Sequence, residues 1–188
     1  MTLKETIEAV KKQEIITTFK AFLEDTKSTE ILIIILKSHL YLEREIRNIL
    51  AETIVDDKFL NGIRFSQKLD LAYSLGLFFD IYGTLKKVNT IRNAYAHDIK
   101  YIFSEKEFND LLSTLNKEDK DGFLSDYPEV KKLFFDEDIS EFNFKVQLLL
   151  SEIWFSVVSY REFAKTAIEL KLKKKELEAL SKYKRLCD

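Results

Sequence analysis

Glycine and proline are scarce in this chain, and this scarcity limits its possible folds more than any other feature. Only four glycines and one proline occur among 188 residues. Because these residues end helices and form tight turns, their scarcity predicts long helices joined by few turns. A chain of this length favours one domain and can bury a substantial core. We therefore expect a single helical domain over residues 1–188.

The spacing of apolar residues supports the same interpretation. Apolar side chains recur every three or four residues, which is typical of amphipathic helices. The run 31–36 is rich in β-branched residues and also suits a strand, but the apolar pattern continues past Leu50 without a turn signal, so we predict a helix that is buried on most sides there. Short connections between such helices predict an all-α, up-and-down antiparallel bundle. The predicted segments are 3–25, 29–55, 65–75, 81–97, 104–115, 124–135 and 140–184.

Polar residues and glycine mark several predicted helix ends. Side chains of serine, threonine, aspartate and asparagine accept hydrogen bonds from the free N–H groups of a first turn, and glycine readily ends a helix. Residues 116–122 are polar and predict a loop, and Pro128 is expected in the first turn of a short helix. The predicted end markers are Ser28 or Thr29 for the second helix, Gly76 for the end of the third, Asp80 for the start of the fourth, and the capping box of Ser104 and Glu107.

Charge and cysteine content exclude several classes of protein. The formal net charge is −2, so the chain lacks the overall basic field that drives strong non-specific binding of nucleic acid, and any RNA must bind to a local patch. The single cysteine, Cys187, cannot form an internal disulfide. No signal peptide is visible after Met1, and the apolar run 31–36 is too short to span a bilayer. We expect a cytoplasmic protein that does not enter a membrane.

An arginine and a histidine near the end of the fourth predicted helix supply a minimal set for RNA phosphodiester chemistry. Arg92 can hold a phosphate through its planar guanidinium, and His97 can transfer a proton near neutral pH. Asn93 can orient the phosphate or the imidazole. Five residues of straight helix turn through about 140°, so the pair converges only if the helix ends or distorts before His97, or across a two-fold axis. The alternative is a helix-end histidine favoured by the dipole beside a surface arginine.

The second histidine, His39, precedes Glu43 by four residues, which places both on one face of the second predicted helix. A metal site would need further ligands at suitable spacing, and the sequence contains no His-Glu-x-x-His element. The pair therefore favours a hydrogen bond along the helix, and we expect no metal and no cofactor. Glu43 or Arg47 is a candidate to face Arg92 and set its orientation, and Tyr95 is a third candidate for a supporting role.

Two motifs together resemble the mannitol-operon-repressor-like family, which is identified as a branch of the HEPN superfamily of helical bundles. The resemblance covers roughly residues 30–112. It is based on the run FSQKLDLAYSLGL at 65–77, the run IRNAYAH at 91–97, and Phe103.

The resemblance implies an up-and-down bundle, usually dimeric, with a core over about 29–112 and packing helices in 1–28 and 113–188. Many HEPN proteins are metal-independent endoribonucleases of toxin–antitoxin and phage-defence systems. Their motif is an arginine, a polar residue, and a histidine four to six residues after the arginine, which Arg92, Asn93 and His97 match. One toxin subgroup has a tyrosine where this chain has Ile99, so that subgroup does not fit.

The same resemblance also implies a different function. Proteins nearest to the mannitol repressor are described as transcriptional regulators, and a non-catalytic regulator would act through protein–protein contacts. The sequence has no recognisable helix-turn-helix element, which argues against direct reading of an operator. The partners expected from both interpretations are RNA, a second copy of the chain, and an antitoxin or regulatory protein.

Overall fold

Helices make up nearly all the regular structure of the residues that the computed structural model describes, 16–54 and 57–187. The prediction of an all-α bundle is confirmed, whereas residues 3–15 of the first predicted helix lie outside the described residues. The helices are α1, described over residues 16–26, α2 (Ile31–Thr53), a 3-10 turn (Asp57–Asn61), α3 (Phe65–Ser74), α4 (Tyr82–His97), α5 (Glu105–Leu112), α6 (Lys117–Phe134) and α7 (Glu141–Cys187).

The centre of the bundle is the pair α2 and α7, which make the most extensive contacts, while α3 and α4 pack against α2 and against each other. Each fully buried leucine or isoleucine contributes roughly 1.5–3 kcal/mol of burial free energy. One continuous core receives side chains from every helix named above, among them Phe22, Ile34, Leu69, Leu85, Phe108, Phe123 and Leu149.

The start of α2 is less buried than its composition predicts. Ile34 and Ile35 enter the core, but Leu32 and Ile33 remain 36% and 37% exposed. The prediction that residues 31–36 are buried on most sides is therefore wrong for this face. The reason is that the neighbouring helices leave one apolar stripe of α2 uncovered.

Two buried amides of α7 close the connection between α1 and α2. Asn143 Nδ2 donates to the carbonyl oxygen of Thr29 at 2.7 Å. Gln147 Nε2 donates to the carbonyl oxygen of Leu23 at 2.6 Å and to Thr26 Oγ1 at 2.9 Å. These bonds attach α7 to the last turns of α1 and to the connection that follows it.

Two of the predicted helix ends are confirmed. After α3, Gly76 has a φ of 90°, and the N–H of Leu77 donates to the carbonyl of Ala72, which is the glycine-dependent end known as a Schellman motif. Before α5, Ser104 N donates to Glu107 Oε2 at 3.1 Å, and Ser104 Oγ accepts from the N–H of the first turn. Both confirmed signals are local, because every group involved lies within a few residues.

Other helix starts differ from the prediction. Asp80 does not cap α4: the residue before that helix is Ile81, and Asp80 instead accepts a hydrogen bond from Tyr160 of α7. For α2 the cap position is Glu30, whose N–H donates to Ser28 Oγ at 3.1 Å. In both cases a polar side chain binds a group other than the predicted first-turn N–H.

The predicted loop at 116–122 is helical. Asn116 Oδ1 accepts the N–H of Asp119 at 2.8 Å and so caps α6, which includes both Gly122 and Pro128. The charged residues form an exposed face of the helix rather than a loop. Pro128 consequently lies well inside α6 and not in a first turn. Over the described ranges no helix combines the length and apolarity needed to span a membrane.

Candidate functional site

A cleft of about 510 Å³ lies between α2, the start of α3 and the second half of α4. It brings together all three residues that the sequence nominated as catalytic, Arg92, Asn93 and His97. The lining residues are His39 and Glu43 from α2, Arg64, Phe65 and Ser66 at the start of α3, and Asn89, Arg92, Asn93 and His97 from α4.

The two predicted reactive side chains reach this cleft from one helix. His97 is the last residue of α4, so the helix continues through His97 and does not end before it, as convergence within one chain was expected to require. Arg92 is half-buried, and its NH1 donates to Asn93 Oδ1 at 3.1 Å, whereas His97 is exposed. Asn93 therefore orients the guanidinium. The arrangement leaves the imidazole accessible to a solute.

The proposed supporting residues have different locations. Glu43 lines the cleft and accepts a hydrogen bond from Lys68 Nζ at 2.7 Å. Arg47 does not line the cleft, and its NH2 donates to Asn61 Oδ1 at 3.0 Å. The hydroxyl of Tyr95 accepts from the N–H of Phe103 at 3.2 Å and faces a neighbouring groove. Of the three, only Glu43 contributes to the cleft.

His39 also lines the cleft, although its spacing in the sequence predicted only a partner for Glu43. Its ring is buried, with Nε2 at 3.3 Å from Asn89 Oδ1 and its centroid 4.4 Å from that of Phe65. Burial lowers the pKa of His39, and the positive charge of Arg92 adds to this effect, while the bond to Asn89 and the charge of Glu43 oppose it. The rarity of histidine, two in the whole chain, is the sequence signal that could have singled it out.

Arg64 also lines the cleft and was not predicted. It occupies the position before α3, and the first two helical residues, Phe65 and Ser66, line the cleft beside it. The N–H groups of a first turn and the helix dipole give this end of a helix a partial positive charge. Because Arg92 lines the same cleft and Glu43 is already paired to Lys68, the cleft is electrostatically suited to an anion.

A second, apolar groove begins directly after His97. Its exposed side chains include Leu32 at 36%, Ile102 at 76% and Ile99 at 100% of their full accessibility. Contiguous exposed apolar side chains commonly mark sites of protein–protein contact. This apolar groove and the anion-suited cleft are neighbours at the end of α4.

The chemistry available in the cleft is phosphate binding by guanidinium groups and proton transfer by imidazole. Within the described parts of the chain, no three histidine, cysteine, aspartate or glutamate side chains come together as a metal site would need. Comparison with known proteins adds no assignment: no protein-family model, no curated protein and no solved structure matches this chain.

Proposed function

We propose that this chain is an RNA-binding protein of HEPN type that cleaves RNA without a metal ion. The observation that carries the proposal is the convergence of Arg92, Asn93 and His97 on one cleft that also contains Arg64. A phosphodiester is an anion, and two guanidinium groups suit its oxygen atoms through planar, bidentate hydrogen bonds.

Each residue has a defined task in this proposal. The guanidinium of Arg92, held by Asn93, stabilises the extra negative charge that develops on the phosphoryl oxygens. The imidazole of His97 transfers a proton during attack by the ribose 2′-hydroxyl on phosphorus. The products are a 2′,3′-cyclic phosphate and a new 5′-hydroxyl end. The proposal includes a cytoplasmic location, where RNA is available.

The test is cleavage of a labelled single-stranded RNA by the purified protein in the presence of a chelator. Because a general acid or base contributes about 10²–10⁴-fold to a rate, we expect His97→Ala to slow cleavage by about that factor. Lys100→Ala changes an exposed neighbouring residue outside the cleft and should retain the wild-type rate. Equal cleavage by wild type and His97→Ala, or none by either, would contradict the proposal.

The apolar groove after His97 favours a second candidate function. A non-catalytic regulator would use Leu32, Ile99 and Ile102 to bind an antitoxin or another regulatory protein. The same surface suits a second copy of the chain, because a two-fold axis brings one patch against itself. Under the regulator hypothesis, His97→Ala leaves function unchanged, whereas a charge introduced into the groove abolishes it.

A further inference from the structure

Both histidines of the chain line the same cleft. His97 is exposed at the end of α4, and His39 lies buried on α2 with its ring against Phe65. Cleavage of RNA through its 2′-hydroxyl needs two proton transfers, one from the attacking oxygen and one to the leaving 5′-oxygen. A single imidazole can carry out only one of these at a time.

We propose that His39 is a second catalytic residue, which removes the 2′-hydroxyl proton while His97 donates a proton to the 5′-oxygen. This inference rests on the proposed ribonuclease function and deepens it. One protomer then contains both the base and the acid. The substrate class is single-stranded RNA with a free 2′-hydroxyl, and DNA is excluded as a substrate.

The proposal takes His39 Nε2 as the donor in its contact with Asn89. With Asn89 Oδ1 as the acceptor at 3.3 Å, Nε2 carries the ring proton and Nδ1 keeps the lone pair that can accept another. Fixing one tautomer through a carbonyl-type oxygen is how enzymes orient a histidine base. Asn89 is therefore a positioning residue, since it acts through His39.

The surroundings of His39 favour its neutral form. Burial lowers its pKa, and Arg92 and Lys68 lower it further, while Glu43 acts in the opposite direction. Arg64 and His97 complete the titratable groups of the cleft lining. A neutral imidazole at pH 7 is the form that a base requires.

The step balances without a co-reactant. The proton of the 2′-hydroxyl moves to His39 Nδ1, the 2′-oxygen forms a bond to phosphorus, and the bond from phosphorus to the 5′-oxygen breaks. The 5′-oxygen takes a proton from protonated His97. The negative charge of Glu43 stabilises the imidazolium that forms on His39.

The experiment is the pH dependence of cleavage of a labelled single-stranded RNA, in a chelator, by wild type and by His39→Gln. The wild-type rate should fall on the acidic side of the pH profile, where His39 is protonated, and we call this fall the acidic limb. We expect His39→Gln to be slower by about 100-fold or more and to lose the acidic limb. Ser38→Ala, a buried neighbour that does not line the cleft, should keep the wild-type rate and the acidic limb.

A second variant separates catalysis from folding. Asn89→Ala keeps the imidazole but removes the hydrogen bond that fixes its tautomer. We therefore expect a slower reaction whose acidic limb is shifted in pH but still present. Wild-type cleavage with an unchanged profile in both variants would overturn the role of His39 and leave the ribonuclease function standing. Absence of cleavage by the wild type would overturn both, and the two failures are therefore distinguishable.

Discussion

At the scale of single residues, two glycines differ in whether their backbone conformation accepts a side chain. Gly76 has a φ of 90° at the end of α3, where a side chain is strained, whereas Gly122 lies inside α6 with open space where a Cβ would stand. We predict that Gly76→Ala lowers the free energy of unfolding by about 1 kcal/mol and that Gly122→Ala raises it by about 0.5–1 kcal/mol. Urea unfolding measures both. Changes of the same sign would contradict the assigned backbone conformations.

A further prediction at this scale concerns pH and the buried His39. Folding lowers its pKa from the ordinary value of 6.5, so below that pH the unfolded chain takes up a proton that the folded chain resists. The contribution of His39 to stability is therefore fully present above pH 6.5 and is lost as the pH falls towards the lowered pKa. We expect His39→Gln to have a shallower decrease in melting temperature over this range.

The control for this prediction is Ser38→Ala, which changes a buried neighbour on α2 that does not titrate. It should keep the wild-type dependence of melting temperature on pH. If wild type and His39→Gln lose stability equally below pH 6.5, then His39 is not the buried, neutral group described above.

At the scale of helices, the buried amide of Gln147 connects α7 to α1. It is 2% exposed and donates hydrogen bonds to Leu23 and Thr26 near the end of α1. Removing the amide loses two hydrogen bonds between α7 and α1, each worth about 1 kcal/mol, so we predict that Gln147→Ala costs about 2 kcal/mol. Ser156→Ala, on the same helix, removes only a bond to its own helix backbone and should stay within about 0.5 kcal/mol. Equal urea midpoints for the two variants would contradict this role.

Helix positions were predictable where their causes are local. Apolar spacing located α2 and α7, and the capping residues of α5 lie within four positions of each other. The start of α6 was missed because a charged run that includes Gly122 suits both a loop and an exposed helical face. The side chain of Asn116, which caps the first turn of α6, favours the helix over the loop.

The candidate site was predictable only in part, for a related reason. Arg92 and His97 could be nominated because their residue types suit phosphate chemistry and both lie on one helix. His39 is 50 positions from Asn89, and Arg64 belongs to a third segment. Their presence in one cleft depends on how α2, α3 and α4 pack, which periodicity does not specify.

At the scale of the whole molecule, the apolar groove should control assembly. We predict a homodimer at micromolar concentration that Ile102→Asp converts to a monomer, because a buried, unpaired carboxylate opposes association. Leu133→Asp is the matched control: Leu133 is 74% exposed on α6 and Ile102 is 76% exposed. Sedimentation velocity measures both. A monomeric wild type, or equal dissociation of both variants, would contradict a dimer formed through this groove.

The amides of α7 also affect how the chain folds as it is synthesised. Asn143 and Gln147 bind backbone groups that lie 114 to 124 positions earlier. At a ribosomal rate of about 5–20 residues per second, the connection between α1 and α2 waits on the order of ten seconds for these partners. The face of α2 that packs against α7 consequently leaves the ribosome well before the helix that covers it.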